Sequence, residues 1–110
     1  MRAPRLFAYG TLLRESVQRR VLGRAVPATP AELDGWRVVP AFVRSRYPGI
    51  VVAGGRRTRG GLLALRPGEL KAADAYEESP RLYRRRRVTA RVGRIGVRCW
   101  IYVPSVTSRP

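Results

Sequence analysis

Apolar residues along this chain alternate between two periods, and the places where the period changes outline its elements. Leu6, Phe7 and Ala8 make a short strand pattern over residues 5–9 that ends at Gly10, where the backbone can leave a ladder and turn. Leu13, Val17 and Val21 then recur at helical spacing with charged residues between them. Gly23 is placed to cap this short amphipathic helix. Leu33, Trp36, Val38 and Val39 give a partly alternating strand over residues 31–39, broken by Asp34-Gly35, a turn or bulge signal. Tyr47-Pro48-Gly49 reads as another turn, and residues 50–53 as a buried strand.

Two glycine pairs and a basic run, Gly54-Gly55-Arg56-Arg57-Thr58-Arg59-Gly60-Gly61, join that strand to the apolar residues 62–65, as expected of a β-hairpin with a glycine-rich connection. A phosphate-cradling role is the other reading of this run. It lacks the Gly-Lys-Ser/Thr ending of a phosphate-binding loop, and no helix follows at once. Pro67-Gly68 introduces a helix over residues 69–78, with Glu69 in the first turn complementing the helix dipole and Ser79-Pro80 ending it. Residues 83–92 read as a strand with Val88, Ala90 and Val92 on one face, turned by residues 93–96 into a last strand over 97–103. The cations at 84–87 suit a solvated strand edge, where their repulsion discourages pairing.

This pattern gives six or seven strands and two helices, in an order close to βαβββαββ. Few crossover helices and many strands predict an α+β fold: a small, mostly antiparallel, mixed β-barrel with flanking helices. A single domain is expected over residues 1–104, with residues 105–110 a flexible tail.

Composition narrows the class. With 45% apolar and 27% charged residues the chain is globular. Its longest apolar runs fall far short of the ~20 residues that span a bilayer. The N-terminal apolar stretch is too short for a signal peptide, so no membrane partner and a cytoplasmic location are expected. Cys99 is the one cysteine and there is no histidine, which leaves neither an internal disulfide nor a tetrahedral metal site; no metal is expected.

Charge complicates the picture. The chain carries 23 Lys and Arg against seven Asp and Glu, a net charge of +16 that would suit a polyanion. Lys71 is the single lysine, however, and Arg, Ala, Gly and Pro share GC-rich codons, so genome composition alone could supply much of the excess. No RNA-binding aromatic signature or helix-turn-helix pattern appears, and nucleic acid is not expected as the main partner.

The acids are few and clustered: Asp74, Glu77 and Glu78 lie within five residues. Without histidine, proton transfer near neutral pH falls most naturally to a carboxylate. At 100° per helical residue, Leu70, Ala73 and Glu77 share a stripe, so a helix that buries Leu70 and Ala73 turns Glu77 inward and Glu78 away. Burial, and Asp74 one turn earlier, would raise the pKa of Glu77 and make it a usable base and acid. An ion pair with Arg85 or Arg87 on the next strand is the other reading, and helical geometry leaves both open.

Two separated patches decide the matter together. Leu6-Phe7-Ala8-Tyr9-Gly10-Thr11-Leu12 resembles the Tyr-Gly-Ser/Thr-Leu signature that follows an apolar strand in the γ-glutamylcyclotransferase-like family. Asp74-Ala75-Tyr76-Glu77 with Tyr83, Arg85 and Val88 is similar to that family's Asp-x-Tyr/Phe-Glu and Tyr-x-Arg-x-x-Val pattern. Tyr47-Pro48 and Gly60-Gly61-Leu62-Leu63 match its Tyr-Pro and Gly-x-Leu-Tyr positions, with Leu63 in place of the tyrosine. Ala73 stands where leucine is common, and Glu78 where glycine usually follows the acid.

The resemblance implies a small barrel with flanking helices and an enzyme that cyclises a γ-glutamyl group to 5-oxoproline, releasing an amine. It casts Glu77 as the group that takes a proton from the α-ammonium and returns one to the leaving nitrogen. Tyr9, Gly10, Thr11 and Leu12 would hold the substrate's α-carboxylate and amine, and Tyr83 would offer its phenol. Tyr9 also reads as a core aromatic at a strand end, and Thr11 as the N-cap of the following helix. No metal or organic cofactor is implied. The expected partner is a small γ-glutamyl amine or amino acid; a γ-glutamyl group on an acidic carrier protein would give the charge a use in steering. A reading of another class is a basic binding protein for nucleic acid or an acidic partner that kept the barrel without turnover.

Overall fold

The computed structural model describes residues 3–44 and 46–105. Strand β1 (Arg5–Ala8) leads through a 3-10 turn (Thr11–Leu13) into helix α1 (Glu15–Leu22). Two long strands follow, β2 (Ala28–Val43) and β3 (Tyr47–Ala64), then helix α2 (Pro67–Tyr76) and the pair β4 (Tyr83–Val92) and β5 (Ile95–Pro104). The strands close into a barrel in the order β1-β3-β2-β4-β5. Every pairing is antiparallel except that of β1 with β5, which closes the ring through Leu6 opposite Trp100. The result is the mostly antiparallel, mixed barrel with flanking helices that the pattern predicts.

The strand period of two sorts each strand's side chains into two layers. Phe7, Leu33, Ile50, Leu62, Ala90, Cys99 and Ile101 come from all five strands and fill the barrel. Their neighbours Leu6, Ala8, Leu63 and Tyr102 face outward, where Leu12, Val17, Ala73 and Leu82 cover them. This second layer seats the helices, so α2 is fixed to the barrel wall rather than to a loop. Where β1 crosses β3 the backbones lie very close: a Cβ added at Gly60 would come within 2.5 Å of the Ala8 carbonyl oxygen and 2.6 Å of Phe7 Cζ.

The strand count differs from the expected six or seven because the glycine-rich run at 54–61 is no hairpin loop. It is the middle of β3, paired to β2 from Ala28 opposite Leu63 to Val43 opposite Tyr47. Asp34-Gly35 and Gly54-Gly55 instead form one irregularity, where the register jumps between Asp34 opposite Arg57 and Trp36 opposite Val52 and both Gly35 and Gly55 take positive φ. The turn expected at Tyr47-Pro48-Gly49 lies earlier, where the Arg46 N–H donates to the Val43 carbonyl, and these three residues begin β3. The strand over 50–53 is buried at Ile50 but 69% exposed at Val52.

Leu13 sits in the 3-10 turn, exposed, and leaves its expected core place to Leu12; Gly23 caps α1 in the left-handed conformation. Helix α2 ends at Tyr76, two residues before the predicted boundary, with Glu77 as its C-cap and Glu78 at a left-handed φ of 51°. At its other end Glu69 accepts from the Arg66 N–H at 2.8 Å and from Arg24 Nε at 2.6 Å, so this acid caps the helix and pins it to the segment after α1. The Ser105 N–H donates to the Leu82 carbonyl, while the remainder of the expected tail, 106–110, lies outside the described residues.

Candidate active site

A cavity of about 290 Å³ opens between the end of β1, the end of α2 and the first residues of β3 and β4. Each wall follows from the local fold. Strand β1 stops at Ala8, so residues 9–12 leave the ladder across the barrel rim. Helix α2 unwinds at Glu77, which turns the carboxylate towards that loop. Tyr47 and Pro48 supply a third wall and Tyr83 a fourth. All six residues singled out in the sequence, Tyr9, Gly10, Thr11, Leu12, Glu77 and Tyr83, line this one cavity, together with Tyr76.

The three clustered acids have separate fates. Asp74 accepts from Arg85 Nε and from the Tyr102 hydroxyl, both at 2.7 Å. The ion pair that stood as the other reading of Glu77 therefore forms one turn away, and Arg85 is further held with its guanidinium 4.5 Å from the Trp100 ring centre. Glu78 is exposed and pairs with Arg81. Glu77 makes no ion pair among the described residues, whose bridges engage the six other acids. Burial without a compensating cation pushes its carboxyl up to about 7. Desolvation is the sole cause; Asp74, expected to contribute, does not.

The phenols around the cavity are fixed by backbone carbonyls and by the Thr11 hydroxyl. The Tyr83 hydroxyl donates to the Pro48 carbonyl and the Tyr9 hydroxyl to the Tyr102 carbonyl, each at 2.7 Å. Burial first, and the nearby Glu77 carboxylate after it, push the Tyr83 phenol up to about 12; burial, then Tyr83 and Glu77, raise Tyr9 still further. Both stay protonated at neutral pH and act only as neutral polar groups. Thr11 caps neither helical segment, since Gly10 precedes the 3-10 turn and Arg14 precedes α1. Its hydroxyl lies 2.6 Å from the Tyr76 hydroxyl, which ties the loop to the residue next to Glu77.

The loop's backbone is set by a residue that the sequence pattern passes over. Gln18 of α1 is 3% exposed; its amide donates to the Leu12 carbonyl and accepts from the Val26 N–H, both at 2.8 Å. The 3-10 turn makes its first bond from the Leu13 N–H to the Gly10 carbonyl, so the N–H groups of Thr11 and Leu12 precede its bonding pattern. Nothing in the sequence marks Gln18, a polar residue beside the apolar Val17. Tyr76 and Tyr47-Pro48 were visible within the matched motifs, without a role. Among the described residues no three His, Cys, Asp or Glu side chains converge as a metal-ligand group.

A raised, unpaired carboxylate that shares a small cavity with residues 9–12 is suited to moving a proton on a bound amide or amine. The family model for gamma-glutamyl cyclotransferase, AIG2-like, matches residues 6–109. No curated protein sequence matches the chain. Among solved structures, a protein from Arabidopsis thaliana superposes with a TM-score of 0.82 at 24% identity, over 96% of this chain and 64% of its own. An AIG2-like protein from Mus musculus gives 0.79 at 20%, over 96% and 79%. A gamma-glutamyl cyclotransferase gives 0.79 at 17%, over 93% and 66%. At these identities the structural likeness establishes the fold alone, and the chain spans about two thirds of the length of two of these neighbours. The family match covers nearly the whole chain, which therefore belongs to the gamma-glutamyl cyclotransferase, AIG2-like family.

Proposed function

We propose that this protein cyclises a γ-glutamyl group to 5-oxoproline and releases the amine that it carried. The α-nitrogen of the glutamyl group attacks its own γ-carbonyl carbon, a C–N bond forms, and the bond from that carbon to the leaving nitrogen breaks. Because the attack is intramolecular, the site has only to hold the bent conformer, move one proton and stabilise the oxyanion. Glu77 takes the proton from the attacking nitrogen and delivers it to the leaving one. The N–H groups of Thr11 and Leu12 face the carboxylate or the developing oxyanion, and Tyr9 and Tyr83 shape the pocket.

The observation that carries this reading is Glu77 itself: a half-buried, unpaired carboxyl raised to about 7, in a protein that pairs its other acids with arginine. A pKa at the working pH lets one carboxylate serve as base and then as acid. The test is 5-oxoproline release from a panel of γ-glutamyl amines and amino acids. Glu77→Gln should lower turnover by about 10²–10⁴-fold while the circular dichroism spectrum is unchanged. Turnover of the wild type should also rise with pH through about 7, as Glu77 ionises. Undiminished activity in the Gln variant would remove Glu77 from the reaction.

A further inference from the structure

On the cyclisation proposed above, the cavity has to hold a negative charge without a positive one. A γ-glutamyl group carries an α-carboxylate, and among the described residues no arginine or lysine lines the cavity. Neutral donors remain, and the hydroxyls among them can be counted, because each carries one proton. Tyr9 spends its proton on the Tyr102 carbonyl and Tyr83 on the Pro48 carbonyl, each at 2.7 Å. Thr11 and Tyr76 differ. Their hydroxyl oxygens lie 2.6 Å apart, so one donates to the other, and neither has a second partner among the described residues. Two hydroxyls with one hydrogen bond between them keep one proton unspent. Both residues are half-buried and line the cavity. Burial first, then Glu77, Tyr47 and Tyr76, push the Tyr83 phenol up to about 12, so the Tyr76 hydroxyl lies within electrostatic reach of the other phenols. Tyr47, the remaining phenol of the lining, is 42% exposed, where water competes for a neutral donor.

We infer that the Thr11–Tyr76 hydroxyl pair donates its remaining proton to the substrate's α-carboxylate, which makes Tyr76 a substrate-binding residue. The inference rests on the proposed cyclisation and adds a side chain to that same site. On a γ-glutamyl compound the α-carboxylate alone is negative from binding to release, whereas the oxyanion on the γ-carbon is transient. A hydroxyl that donates to a full negative charge makes a shorter and stronger bond than one that donates to a neutral oxygen. The pair is also preorganised. Each hydroxyl holds the other, so the free O–H need not be ordered when the substrate arrives. Tyr76 thus serves binding, and its neighbour Glu77 serves proton transfer.

Two measurements on the full chain test this. Binding is read by NMR titration of the Glu77→Gln protein, so that nothing is consumed. The probes are γ-glutamyl methylamide and the same molecule with hydrogen in place of the α-carboxylate, 4-aminobutanoyl methylamide. The first should bind more tightly. Thr11→Val or Tyr76→Phe alone breaks the bond between the hydroxyls yet leaves one hydroxyl with its proton, so each should weaken that preference only in part. The two together should lower it by about 10-fold or more beyond either alone. If the pair merely ties the loop to the helix, either single variant already cuts the tie, and the double variant does no further harm. That result would overturn the inference, as would equal binding of the two probes, binding of neither, or an equal loss of affinity for both. The second measurement is 5-oxoproline release from γ-glutamyl methylamide by the chain that keeps Glu77. Thr11→Val with Tyr76→Phe should raise KM by about 10-fold or more and move kcat by less than about 3-fold. A fall in kcat at unchanged KM would put the hydroxyls on the oxyanion instead and overturn the inference. Absence of release from any γ-glutamyl compound sinks the reaction, and the binding measurement then decides the role of Tyr76 by itself.

Discussion

Two regions of this barrel bring acids together in an arginine-rich chain, and they end in opposite electrostatic states. On the β2–β3–β4 face, Asp34 and Glu32 are divided among Arg57, Arg59 and Arg91; Arg91 reaches Asp34 at 2.9 Å and Glu32 at 2.9 Å. These groups are largely solvent-exposed, and the hydrogen bond from Arg91 holds the Asp34 carboxyl below its usual range. At the end of α2, Asp74 takes Arg85 while Glu77, three residues on, takes nothing and is pushed up to about 7. Abundant arginine therefore does not neutralise every acid. An exposed guanidinium follows its partner in water, whereas no arginine or lysine among the described residues lines the cavity that Glu77 shares with tyrosines and residues 9–12. The contrast separates surface charge, which is cheap to rearrange, from a buried charge that the fold keeps apart.

The comparison can be broken most forcefully at Glu77. Its carboxyl holds its proton more tightly folded, at about 7, than at the ordinary 4.5, so the folded state binds more protons in between. The stability this confers is complete below about pH 4.5 and is lost as pH rises through 7. Glu77→Gln, which cannot ionise, should therefore be the more stable protein at pH 8, on the order of 3 kcal/mol by urea unfolding, with a flatter pH dependence between 4.5 and 7. A Gln variant that is no more stable at pH 8 would mean that Glu77 is solvated or paired.

Asp74 comes next. Asp74→Ala leaves the buried Tyr102 hydroxyl and the Arg85 guanidinium without an acceptor, and should cost about 2 kcal/mol in the same experiment. If Asp74 orients the end of α2, turnover should fall along with stability. The smallest effect belongs to the exposed network: Asp34→Asn should leave the urea midpoint nearly unchanged, because Arg91 keeps Glu32 and water replaces the lost contact. A large loss there would show that the two regions differ less than their burial indicates.

What was legible in the sequence was what short-range geometry decides. The 100° step of a helix places Glu77 with Ala73 and Leu70, and the alternation of β4 places Val88 and Ala90 on the face that fills the barrel; neither depends on distant parts of the chain. The glycine-rich run was misread for the opposite reason. Glycine pairs signal a turn locally, yet the long pairing of β2 with β3 carries residues 54–61 through as strand, and the local signal survives only as an irregularity in register. The partner of Arg85 was equally beyond reach. Asp74 and Glu77 are nearly equivalent in sequence, and it is the register of β4 against β5, with Tyr102 opposite Arg85, that delivers the guanidinium to Asp74. The buried Gln18 that holds the Leu12 carbonyl leaves no periodic trace, since a polar residue beside an apolar stripe reads as surface.

Glu77 as the carboxyl that titrates at working pH is the centre of this account, and carbon-detected NMR titration of the glutamate side-chain carboxyls reads it directly, with Glu77→Gln assigning the resonance. The account predicts one glutamate titrating near pH 7, absent from the Gln variant; a Glu77 midpoint near 4.5 would contradict it.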